Sequence, residues 1–141
     1  MTDPHVREDP ATAPRTQATI LLVEDEVSVR EFVKKALEVG GYRVLEATNG
    51  FEALSVISRK GTESIDLVLT DVVMPGMSGW LLADTIASKY QALKVLFMSG
   101  NSELVRVFNG GQMEGTTLHK PFSPATLLER VRQQQIGRAH V

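Results

Sequence analysis

Cysteine is absent from the 141 residues, which excludes disulfides, thiolate metal sites and cysteine nucleophiles, and permits a reducing compartment without requiring one. Long runs of one charge are also missing. With 15 Lys+Arg against 17 Asp+Glu, the formal net charge is -2, so the chain carries no electrostatic footprint for nucleic acid or for an anionic membrane surface. Apolar runs stop at about five or six residues, far short of the roughly 18 that span a bilayer, and residues 1–18 lack the apolar centre of a signal peptide. These absences read as a soluble, cytoplasmic chain that contacts neither nucleic acid nor membrane by itself. The hydrophobic content of 43% suffices for one packed core but not two.

The order of the apolar segments carries the fold. Residues 1–18, with Pro4, Pro10 and Pro14 and Val6 as the one sizeable apolar side chain, read as a tail or linker. Short apolar runs then alternate with longer stripes of helical spacing, the pattern of a parallel sheet covered on both faces. Strands are expected at 20–23, 42–47, 65–70, 94–98 and 116–119. Helices are expected at 27–39, closed by Gly40-Gly41, from Asn49-Gly50 to just before Gly61, from the 74–79 loop through Ala87, and from a Ser123-Pro124 cap through Val131. Residues 102–115 are ambiguous, because Leu104, Val105, Val107 and Phe108 suit a short helix that Gly110-Gly111 would cut. Five strand–helix units in about 120 residues, with right-handed crossovers, fit a doubly wound, flavodoxin-like sheet of order 2-1-3-4-5. The expected domain is 19–135, with 136–141 as a further tail.

In such a sheet ligands bind at the carboxyl ends of the strands flanking the order reversal. Those ends hold Glu24 and Asp25 after the first strand, Asp71 after the third, Ser99 after the fourth and Lys120 after the fifth. Three carboxylates on one rim repel and raise one another's pKa unless a hard, oxygen-seeking cation lies between them, and Mg²⁺ is the economical choice. Mg²⁺ beside a lysine suits phosphoryl transfer, in which a carboxylate such as Asp71 is the nucleophile and the Ser99 hydroxyl meets a phosphoryl oxygen.

Val23-Glu24-Asp25-Glu26, Leu69-Thr70-Asp71 followed by Met74-Pro75-Gly76-Met77-Ser78-Gly79, Met98-Ser99-Gly100 and Lys120-Pro121-Phe122 together resemble the four motifs of response regulator receiver domains, in the right order over about residues 18 to 135. The resemblance implies that Asp71 is phosphorylated from the phosphohistidine of a sensor histidine kinase or phosphotransfer protein. It further implies that Asp25 and Asp71 bind Mg²⁺ directly, that Glu24 acts on it through water, and that the Val73 carbonyl completes the set. By the same resemblance Ser99 and Lys120 would contact the phosphoryl group, and Lys120-Pro121 would be cis. A domain of that family would catalyse its own phosphorylation and dephosphorylation, and would then modulate a downstream protein. Two departures stand out: Thr117 occupies a position that is often an aromatic switch, and Gly110-Gly111 interrupts the helix of the usual output face. Val73 and Asn101 fall where similar proteins flank the water's approach. The chain reads either as a stand-alone regulator or as the receiver segment of a hybrid sensor kinase, with the Pro-rich entry and the Lys120-to-Pro124 exit favouring the second.

Rival readings are weaker on specific residues. Glu24-Asp25 as a solvated turn, or Ser99-Gly100 as plain turn chemistry, leaves the coincidence of five rim residues without a cause. A haloacid-dehalogenase-like phosphatase needs Asp-x-Asp where Glu24-Asp25-Glu26 stands, and a flavodoxin-like electron carrier needs a Ser/Thr-Gly-rich loop rather than acids there. An unphosphorylated pseudo-receiver is the remaining alternative, and it should lack the aspartate or the lysine. His5, His119 and His140 read as surface or tail residues, and Phe32 and Trp80 as core.

Overall fold

The computed structural model describes residues 17–90, 92–100 and 117–139. Residues 1–16, Asn101, the ambiguous 102–115 segment, Thr116 and His140 lie outside the described residues. Within them the chain runs β1 (Thr19–Val23), α1 (Val27–Val39), β2 (Arg43–Ala47), α2 (Gly50–Lys60), β3 (Leu67–Asp71), α3 (Gly79–Lys89), β4 (Lys94–Ser99), β5 (Thr117–His119) and α4 (Pro124–Ala139). A single 3-10 turn at Thr62–Ser64 precedes β3. The five strands form one sheet in the order β2-β1-β3-β4-β5, and every adjacent pair is parallel. The doubly wound α/β architecture expected from the apolar pattern is the one observed.

Alternation along the central strands explains the two layers. Successive strand side chains point to opposite faces, so Leu21, Val23 and Val68 pack with Ala53, Ile57, Leu82 and Ile86 of α2 and α3. Ile20, Leu22, Leu67 and Leu69 pack on the other face with Val33 and Leu37 of α1 and with Leu127 and Val131 of α4. Both sets are buried, and each Leu, Ile or Val among them contributes about 1.5–3 kcal/mol through removal from water.

Local signals end the helices where packing requires. Asn49 caps α2 by accepting from Glu52 N at 2.8 Å, while Glu52 Oε1 accepts from Thr48 N at 2.6 Å. Ser78 and Ser123 cap α3 and α4 through bonds from Leu81 N and Thr126 N. Gly41 follows α1 at φ +96, a backbone that L side chains rarely adopt.

One core expectation is overturned. Phe32 is 46% exposed, because α1 turns Val33, Ala36 and Leu37 to the sheet and leaves Phe32 at the edge of that stripe, where its ring meets Phe122 at 6.4 Å. Trp80 does pack inward, its ring 4.9 Å from that of Phe97. Helical backbone in α4 also continues past residue 135, to Ala139.

Candidate functional site

Strand register assembles the site. Val23 pairs with Thr70, so Glu24 and Asp71 are neighbours one step further along β1 and β3. Asp71 pairs with Met98 of β4, and Ser99 pairs with His119 of β5. Because all strands run the same way, the expected residues meet on one rim, with Asp71 and Ser99 as the last residues of β3 and β4 rather than loop residues. His119 itself is exposed.

At the centre, one oxygen each from Glu24, Asp25 and Asp71 lies within 4.8 Å of the others. Lys120 Nζ reaches into this group, 3.3 Å from Glu24 Oε1 and 3.4 Å from Asp71 Oδ2. Glu24 is 1% exposed and Asp71 is also buried, whereas Asp25 faces solvent. Burial pushes the Glu24 carboxyl up and the neighbouring Asp71 charge adds to the rise, against the Glu26 N–H and Lys120, which lower it. Burial likewise raises Asp71, opposed by Lys120 and by the backbone N–H groups of Val72 and Val73. Two buried carboxylates and one lysine leave an excess of negative charge, and a third carboxylate stands at the mouth. This donor set, all oxygen and arranged around a gap a few ångströms wide, fits a hard divalent cation.

The cleft is lined by Glu24, Asp25, Glu26, Asp71, Val73, Gly100 and Lys120. Ser99 is placed differently. It is 2% exposed and its carbonyl accepts from Lys120 N at 2.7 Å, while the adjacent Gly100 contributes to the lining. The Lys120–Pro121 peptide is cis. Thr117 is fully buried on β5, and its carbonyl accepts from Arg130 Nη2 at 2.8 Å, so no aromatic ring occupies that position.

Two residues that sequence reasoning did not single out support the site. Gly79 N donates to the Val72 carbonyl at 2.8 Å, and a Cβ on Gly79 would collide with the Asp71 carbonyl oxygen and approach Val72 Cα to 2.9 Å. The signal was available: a glycine in the first helical position, with no left-handed turn to require it, points to close backbone contact. Gly79→Ala is therefore expected to displace the backbone of Asp71 and to cost about 1–3 kcal/mol in denaturant unfolding; an unchanged midpoint would show that the close approach is not constraining. Arg30, the second residue, donates from Nη1 to the Glu24 carbonyl at 2.7 Å. No sequence signal pointed to it, since its other partner, Glu46, lies on β2.

Among the described residues, no helix is long and apolar enough to cross a membrane. The family model for the response regulator receiver domain matches residues 20–132. The chain is 39% identical over 117 residues to the sensor kinase CckA of Brucella abortus, covering 82% of this chain and 12% of that protein. It is 34% identical over 119 residues to the response regulator receiver protein CpdR of the same organism, covering 84% of this chain and 97% of that one. The crystal structure of response regulator protein TrrA from Thermotoga maritima, in complex with Mg²⁺-BeF, superposes with a TM-score of 0.72 at 30% identity, covering 84% of this chain and 99% of TrrA. Several longer curated relatives exceed this chain, which spans 12% to 48% of their length.

Proposed function

The chain belongs to the response regulator receiver family, and on that premise we propose that Asp71 accepts a phosphoryl group from the phosphohistidine of a sensor kinase or phosphotransfer protein. The observation that carries this reading is Lys120 Nζ poised between Glu24 and Asp71, beside three converging carboxylates. Receiver domains bind Mg²⁺ and work with histidine kinases or phosphotransfer proteins. Glu24, Asp25 and Asp71, with the Val73 carbonyl, would hold Mg²⁺ here, which when bound neutralises charge on the phosphoryl oxygens.

The chain's own groups do the rest. An Asp71 carboxylate oxygen attacks phosphorus in line, the bond from phosphorus to the imidazole nitrogen breaks, and the imidazole departs. Lys120 loses nothing in this step. It shifts its attention from the Asp71 carboxylate to the incoming phosphoryl oxygens, a preorganised cation where negative charge accumulates. The Ser99 hydroxyl, at the end of β4 beside the cleft, is assigned to a phosphoryl oxygen. Water later cleaves the acyl phosphate, releasing inorganic phosphate and restoring Asp71. A kinase phosphohistidine is made from ATP, which supports a cytoplasmic setting for this domain.

The test is incubation with acetyl phosphate, with Mg²⁺ or with EDTA, read by intact mass. Gain of one phosphoryl group with Mg²⁺ and none with EDTA is expected; no gain in either case would leave a pseudo-receiver that signals by binding alone. Similarity to a sensor kinase and to the receiver protein CpdR supports both the hybrid and the stand-alone reading, and the Pro-rich entry and Lys120-to-Pro124 exit favour the hybrid.

Val73 is 64% exposed at the cleft mouth, where an apolar side chain disfavours an ordered attacking water. Val73→Asn, which offers that water a hydrogen-bond partner, is expected to shorten the phosphoryl lifetime by about tenfold. A decay rate equal to wild type would remove Val73 from any part in hydrolysis.

A further inference from the structure

Arg30 joins α1 to the ends of two strands. Its Nη1 donates to the Glu24 carbonyl at 2.7 Å, and its Nε lies 3.3 Å from Glu46 Oε1 on β2, with the Arg30 side chain 15% exposed. The other Glu46 oxygen is 3.1 Å from Lys34 Nζ. Glu24 is thereby held at every polar group. Its N–H donates to the Ala47 carbonyl at 3.0 Å, its carboxylate accepts from Glu26 N at 3.1 Å and from Lys120 Nζ at 3.3 Å, and its carbonyl is held by Arg30.

Asp25 is held by none of these. It is exposed and has no side-chain partner among the described residues, so its direction depends on the backbone that precedes it. The Glu24 carbonyl oxygen belongs to the planar peptide unit that also contains Asp25 N and Cα, and fixing that oxygen fixes the plane. A rigid guanidinium fork can hold the carbonyl and Glu46 together, whereas a lysine ammonium is a single point of charge on a flexible stem.

Resting on the reading of Glu24, Asp25 and Asp71 as the cation site, we propose that Arg30 is a positioning residue: it clamps the Glu24–Asp25 peptide against Glu46 of β2 and so holds Asp25 ready for the divalent cation. Its charge is shared with Glu46, so its contribution is orientation rather than counter-charge. Asp25 reaches the cation preoriented, and the cation binds without ordering the loop.

The experiment is Mg²⁺ titration of the metal-free full chain, followed through backbone amide NMR shifts, with phosphorylation by acetyl phosphate measured across the same Mg²⁺ range. Arg30→Gln and Arg30→Lys are both expected to raise the Mg²⁺ midpoint about tenfold. Phosphorylation should slow at low Mg²⁺ and return to the wild-type rate at saturation, a split that a general loss of fold does not produce. Glu46→Gln, which keeps Arg30 but removes its anchor, should shift the midpoint the same way by a smaller factor. Lys34→Gln, which removes only the pair on the other Glu46 oxygen and keeps the Arg30–Glu46 contact, should leave the midpoint unchanged. A wild-type midpoint in Arg30→Gln, or full retention in Arg30→Lys, overturns the proposal. A wild-type chain with no saturable Mg²⁺ response overturns the cation site itself, and the role of Arg30 with it.

Discussion

Asp71→Asn is expected to abolish the phosphoryl adduct from acetyl phosphate completely, at any Mg²⁺ concentration. The amide keeps the shape of the carboxylate but has no anionic oxygen to attack phosphorus. A second effect runs in the opposite direction. Burial holds the Asp71 carboxyl above its ordinary value, so above that ordinary value the buried acid costs stability in the metal-free fold, and a neutral side chain relieves that cost. Metal-free Asp71→Asn should therefore melt higher than metal-free wild type, by about 1 kcal/mol or some 4 °C, and gain less from added Mg²⁺. Intact mass and thermal melts, each with EDTA and with Mg²⁺, check both parts. An adduct that survives in Asp71→Asn would move the phosphorylation site elsewhere and sink the proposed chemistry.

Lys120→Met is expected to act on both rate and stability. Phosphorylation should slow by about 10²–10³-fold, the usual consequence of removing one preorganised group from the place where charge develops. The fold should also weaken by about 1–3 kcal/mol at pH 7, because Glu24 and Asp71 lose the ammonium 3.3 and 3.4 Å away and remain buried. The pH dependence follows from the sign of the shifts. Both carboxyls are raised above their ordinary values of 4.5 and 3.8, so between those values and the raised ones the folded state binds more protons than the unfolded state. These groups therefore penalise the fold above their raised values, and the penalty disappears as pH falls to the ordinary range. Lys120 lowers both carboxyls, so without it they rise further, and the metal-free protein should lose stability more steeply as pH rises through that window. Urea unfolding in EDTA across that range measures the slope; a slope equal to wild type would mean that Lys120 does not compensate these acids in solution.

Much of this molecule is readable from its residues in order. The runs at 20–23 and 67–69 are buried on both faces, which only a sheet covered on both sides can accommodate, and the intervening helical stripes supply the crossovers that parallel strands need. From parallel strands alone it follows that Glu24, Asp25, Asp71, Ser99 and Lys120 reach one rim. Caps at Asn49, Ser78 and Ser123 are likewise local, each side chain accepting from an N–H three residues on.

Tertiary structure decided what depends on rotation and reach. Phe32 shares the helical stripe of Val33, yet it is exposed, because the rotation of α1 against the sheet is fixed by packing and not by spacing. Lys120 bonds Glu24 across 96 positions, a pairing set by the length of β5 and the strand register, and Ser99 lies beside the cleft rather than in its lining. Arg30 is the clearest case, since its partners sit on the end of β1 and on β2. Periodicity records which side chains leave water, whereas contacts between distant segments depend on how strands align and helices turn, and those are settled only when the whole core packs at once.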